Sequence, residues 1–206
     1  MDARRRTIEH LQGLYTVVAG VALTLAITKL LDENAPMPLR LDVLPYFVAY
    51  LVTLVPIYHG ALRHLDITYF EDESAEAKSG ALMFDWALLF IESCFLLGLA
   101  LLLQKPVAFG WGLCIFLAFD CIWAFVAHLG FSPKKKESRT EWRWATVNFV
   151  TVCFLALALV VANAVETKLG LLTSFRWILV LVVAVARTIW DYAWCWSYYY
   201  PPASSR

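Results

Sequence analysis

Ala81–Leu103 reads ALMFDWALLFIESCFLLGLALLL. Its length and apolar content suit a helix that crosses a bilayer, which takes about 20 mostly apolar residues. Two acids interrupt it. Glu92 falls near the middle, and Asp85 lies seven residues earlier, two helical turns away on the same face. A carboxylate at the bilayer centre costs about 3 kcal/mol or more unless it faces protein, water or a partner. The stretch therefore predicts a membrane protein whose polar groups turn into a helix bundle.

Five more segments have the same character: Leu11–Leu31, Val43–Ala61, Val107–Leu129, Trp144–Val165 and Leu171–Trp194. The fourth span is interrupted by Asp120. The six spans take up most of the 206 residues, so the chain reads as one all-α integral membrane domain over 1–206. A mean hydropathy of +0.64 fits the bilayer, not water, as its solvent. The apolar run of Leu11–Leu31 is too long for a signal peptide and offers no small-residue cleavage site, so it reads as a retained first helix.

The net charge is zero but unevenly placed. Arg4, Arg5 and Arg6 precede the first span, and Lys134, Lys135, Lys136, Arg139 and Arg143 separate the fourth from the fifth. With six spans both stretches fall on one side. The opposite loops hold only Arg40, Lys105 and Lys168. The positive-inside rule then puts both termini in the cytoplasm, and the expected location is a prokaryotic plasma (inner) membrane. The basic loop reads as a topology determinant beside anionic lipid, with no nucleic acid as partner.

Several candidate residues follow. In the first span the small residues Ala19, Gly20, Ala22 and Ala26 and the hydroxyls of Thr16, Thr24 and Thr28 suit close helix packing or a narrow pore. The second span carries Pro56, which removes a backbone hydrogen bond and leaves a carbonyl for a neighbour or water to satisfy. His59, Arg63, His64 and Asp66 follow as an interfacial cluster, read as an anchor or a proton-sensitive gate. Asp66–Gly80 reads as a short acidic loop facing the basic Lys134–Arg143 loop. Asn148 and Asn163 in the fifth span suit bridges between helices. Arg187 and Asp191 are four apart and can pair. Trp190, Tyr192, Trp194, Trp196, Tyr198, Tyr199 and Tyr200 crowd the last turns, as an interfacial belt or a platform for a cytoplasmic protein partner.

Signatures of chemistry are sparse. HExxH, GxSxG, a phosphate-binding glycine loop and CxxC are all missing from the sequence. Five cysteines, an odd number inside apolar segments, read as packing residues without disulfides or zinc. Four histidines are too few for a multi-histidine metal centre. No cofactor or metal is expected. Asp85 and Glu92 stand about 10.5 Å apart along a helix, too far to share a proton directly unless their side chains converge.

Leu11-Gln12-Gly13-Leu14-Tyr15-Thr16, the following Val21-Ala22-Leu23-Thr24-Leu25, and the aromatic, histidine-ended second span PYFVAYLVTLVPIYHGALRHL distantly resemble the six-helix potassium channels typified by lysosomal transmembrane protein 175 and its bacterial relatives. His10 stands where that family has arginine, and Tyr15-Thr16 where it has Ser-Asp. The resemblance covers the first half of the chain. It implies a six-helix fold and a homo-oligomer, a tetramer in the bacterial relatives. It also implies a pore along helix one, with Val21 and Leu25 as constrictions and Thr24 and Thr28 beside them. The leading expectation is thus a small oligomeric ion channel in contact with membrane lipid. Asp85, Glu92, Asp120, Arg187, Asp191, His59, Arg63 and His64 are its buried polar or gating candidates. A non-conducting scaffold or sensor and an intramembrane enzyme are the alternatives.

Overall fold

The computed structural model describes residues 3–32, 37–71, 79–130, 139–169 and 173–201. They form six helices: α1 (Ala3–Leu30), α2 (Leu44–Asp66), α3 (Ser79–Leu102), α4 (Pro106–Gly130), α5 (Arg139–Leu169) and α6 (Thr173–Tyr199). All six are long and apolar enough to cross a membrane. The shortest, α2 with 23 residues, extends about 35 Å, against about 30 Å of hydrocarbon. No strand occurs among the described residues, only a single bridge between Leu31 and Leu39.

Each helix extends past at least one end of the apolar run that announces it, because the flanking polar residues keep helical geometry. The acidic loop expected over Asp66–Gly80 is shorter than its composition implies. A π-helical turn, Ile67–Glu71, prolongs α2, and α3 begins at Ser79. The basic loop shortens likewise, since α5 begins at Arg139. The remainder of both loops, 72–78 and 131–138, lies outside the described residues, and with it the attraction expected between them.

Local chemistry sets the helix ends. α4 starts with Pro106, whose missing N–H is no loss in a first turn. The short link from α3 makes these two an antiparallel hairpin. Gln104 in that link donates its amide to the Lys29 carbonyl at 2.9 Å, satisfying an acceptor that the end of α1 leaves open. At the same end Arg40 bonds Asp42 at 2.9 Å and holds that carboxyl below the usual carboxylate range.

The helices alternate direction, so α1, α3 and α5 start at one end of the bundle, here the near end, where α6 also finishes. The far half is packed with apolar side chains: Ala22 and Ala26 from α1, Tyr46 and Tyr50 from α2, Leu99 and Leu103 from α3, Phe109 and Leu113 from α4, Leu159 from α5 and Val180 from α6. α4 and α5 approach closely at Gly110, where an added Cβ would lie 2.8 Å from a Leu159 methyl.

The small and hydroxyl residues of α1 divide between two faces. Ala19, Ala22 and Ala26, at spacings of three and four, are buried. Gly20, Thr24 and Thr28 turn out of the bundle. The turn of 100° per residue separates the two sets.

Candidate functional site

In the near half the interior changes character. Glu92 lies about 20 Å along α3 from its start and is only 8% exposed. It accepts a hydrogen bond from the Tyr15 hydroxyl of α1 at 3.0 Å. Asp85, one face up the same helix, is also buried. Its Oδ2 accepts from the Tyr69 hydroxyl at 2.6 Å and sits 3.5 Å from His64 Nε2. Tyr69 belongs to the π-helical turn, a geometry common at functional positions.

Across the bundle, Asn148 of α5 joins two charged groups. Its Oδ1 accepts from Arg187 Nε and Nη2 at 3.1 and 3.0 Å, and its Nδ2 donates to Asp120 of α4. Arg187 reaches Asp191 only at 4.0 Å. Asp191 is held instead by the Tyr199 hydroxyl at 2.9 Å. The pairing expected between Arg187 and Asp191 is therefore the looser contact, and Asn148 is the closer one. A side-chain amide can accept from the guanidinium and donate to the carboxylate at once, which no single ion pair does.

These groups converge on one cavity. His64, Asp85, Glu92, Asp120, Arg187 and Asp191 all line it, with Phe119, Trp123, Trp144 and Tyr199 as aromatic neighbours. The space open to a water-sized centre is about 30 Å³, enough for a water or two. Trp123 Nε1 and Arg187 Nη1 are buried there without a hydrogen-bond partner among the described residues. Four carboxylates face one guanidinium and one imidazole. Such a set keeps its charge balanced only by holding protons or a cation. Among the described residues no three His, Cys, Asp or Glu side chains stand close enough to hold a metal ion.

The cluster expected at the end of α2 divides three ways, because polar residues at positions 59, 63, 64 and 66 fall on several faces of a helix. His64 enters the chamber. His59 packs on the rings of Tyr199 at 4.8 Å and Tyr200 at 5.5 Å, with Nδ1 3.4 Å from the Tyr192 hydroxyl. Arg63 donates to the Tyr198 carbonyl at 3.0 Å, and Asp66 accepts from Gln12 of α1 at 2.8 Å.

The pore candidates lie elsewhere. Val21 is 53% exposed on the outer face of α1, with Thr24 and Thr28 beside it. Each threonine hydroxyl bonds back to its own helix, to Gly20 and Leu25 carbonyls at 2.9 and 2.7 Å. Leu25 is half-buried and packs on the core, so it does not share the open face with Val21. The chamber and this face are separate places, joined through α1 by Tyr15.

Sequence reasoning passed over Tyr15, Tyr69 and Trp123. Tyr15 and Tyr69 read there as motif filler and loop; a tyrosine at the depth of a buried acid is the signal that finds them. No protein-family model, curated protein or solved structure matches the chain. Fold and site together define a bundle of six helices long and apolar enough to cross a membrane, with an internal acidic chamber.

Proposed function

We propose that the chain is the subunit of a small cation-conducting assembly in a cell membrane, with the acidic chamber as the element in each copy that responds to the ion. The observation that carries this reading is the convergence of Asp85, Glu92, Asp120 and Asp191 on one cavity with Arg187 as the permanent counter-charge. Ionisable groups inside a membrane mark ion pathways, proton relays and their counter-ions. The resemblance of the first half of the chain to six-helix potassium channels supports the same reading.

The conducting path is assigned to the outer face of α1, between copies. Val21, Thr24 and Thr28 repeated around a symmetry axis form apolar and hydroxyl rings, and an apolar ring narrower than a hydrated ion blocks by dewetting. The basic residues at the near end, Arg5, Arg6 and Arg143 among them, support an orientation with that end and both termini in the cytoplasm. A prokaryotic inner membrane is the assigned location.

Flux of potassium, sodium and protons from liposomes holding the purified full chain tests the proposal. Cation flux that changes with Glu92→Gln is the expected result. No flux of any cation across a range of pH, or a strictly monomeric protein, overturns it. A scaffold that docks a protein partner is the second reading. It draws on the row of Trp190, Trp194 and Trp196, all open to the outside at the near end, and it takes the lead if flux is absent.

A further inference from the structure

The end of α6 does more than finish a helix. Its backbone leaves helical geometry at Cys195, with φ −108° and ψ 16°. This break falls between two chamber residues, Asp191 before it and Tyr199 after it. The hydrogen bond from Tyr199 to Asp191 at 2.9 Å spans the break and draws the last turn back over the cavity. Two contacts from α2 hold the turn from the other side. Arg63 donates to the Tyr198 carbonyl. The His59 ring lies against Tyr199.

We propose that the turn beyond Cys195 is a hinged lid on the acidic chamber, with Cys195 as its hinge and the Tyr199–Asp191 bond as its latch. Opening swings Tyr199 off Asp191, frees a carboxylate inside the cavity and connects the chamber with the near end of the bundle. Residues beyond the break reach α2 through one backbone carbonyl and aromatic faces, and α5 through Trp144, whose ring meets Tyr198 at 4.8 Å; opening separates this small aromatic cluster and leaves the larger apolar core of the far half closed. The lid deepens the ion-handling reading by naming the entrance to that chamber, yet its test does not depend on conduction.

Cys195 itself reports the lid, being fully buried and a free thiol. The full chain is prepared in lipid nanodiscs with Cys195 as the sole cysteine, and separately with Cys114 as the sole cysteine. Cys114 is also buried but lies in the interior of α4. Both are titrated with a small water-soluble thiol reagent, with and without Tyr199→Phe. The expected result is labelling of Cys195 accelerated by about tenfold or more, the factor that loss of one hydrogen bond to a carboxylate gives, with Cys114 unchanged. Asp191→Ala, which leaves the Tyr199 hydroxyl no acceptor at that position, should accelerate Cys195 in the same way. Equal rates for Cys195 with and without the latch overturn the proposal. So does parallel acceleration at Cys114, which marks a loosened bundle instead of a hinge. Flux that fails while Cys195 labelling responds would remove the conduction reading and leave the lid standing.

Discussion

Thr188 of α6 donates its hydroxyl hydrogen to the carbonyl of Val52 on α2. Val52 is four residues before Pro56, so its carbonyl is the acceptor that the proline cannot serve. A hydroxyl on a neighbouring helix thus closes the gap that proline opens. Thr188→Val should destabilise the protein by about 1–3 kcal/mol, the cost of a buried unsatisfied carbonyl. Pro56→Ala should recover most of that loss, since it restores the helix's own donor. Unfolding of the two single variants and the double variant in mild detergent measures the coupling; equal losses from Thr188→Val with either residue at position 56 would remove this account.

Asn148 is expected to be the most sensitive uncharged residue in the near half. Asn148→Leu leaves Arg187 without its close acceptor and Asp120 without its donor, and stranding a buried charge costs about 3–5 kcal/mol. Asn148→Gln keeps both functions on a longer arm and should lose less. Thermal unfolding followed by size-exclusion recovery ranks the variants, with Asn148→Leu expected last.

On α1 the assembly reading makes a positional prediction. With the native cysteines replaced, Thr24→Cys should form disulfide-linked pairs between copies on mild oxidation, because Thr24 shares the open face with Val21. Ala22→Cys should not, because Ala22 is fully buried inside its own chain. Gel mobility under non-reducing conditions reads this directly. Linkage at both positions or at neither would count against α1 as the face between copies.

At the same face Val21→Asn should raise cation leak in liposomes, because a polar ring wets more readily than an apolar one. Glu92→Gln, placed in the chamber and away from that face, should alter the pH dependence of flux more than its size. Tyr15→Phe removes the hydroxyl that Glu92 accepts from, and should resemble Glu92→Gln in pH profile while leaving the Val21→Asn leak untouched. Flux recorded over a pH series in all three separates the two places.

The six helices were legible in the sequence because twenty-residue apolar runs are a one-dimensional signal. Asp85 and Glu92 were legible for the same reason, as acids in the wrong solvent. What could not be read was partnership. Arg187 has Asp191 one turn away in sequence, yet Asn148, 39 residues distant, takes its Nε and Nη2. Helix rotation decides that, and rotation is set by packing over the whole bundle. The four polar residues that close α2 illustrate the same limit. Proximity in sequence suggested one cluster, whereas the helix distributes them to the chamber, to α6 and to α1. Tyr69 was hidden by its surroundings, since an acidic stretch after Asp66 reads as loop until the π-helical turn shows otherwise.

The division of the bundle into a charged near half and an apolar far half has a further consequence. Beyond Glu92 the described interior offers no charged side chain until Arg176, in the first turn of α6 at the other end. On the ion-conducting reading proposed above, the chamber is then a blind alley and the crossing path runs beside the chain, between copies. Under that reading each copy is a listening post, and its answer passes to α1 through the bond that ties Tyr15 to Glu92.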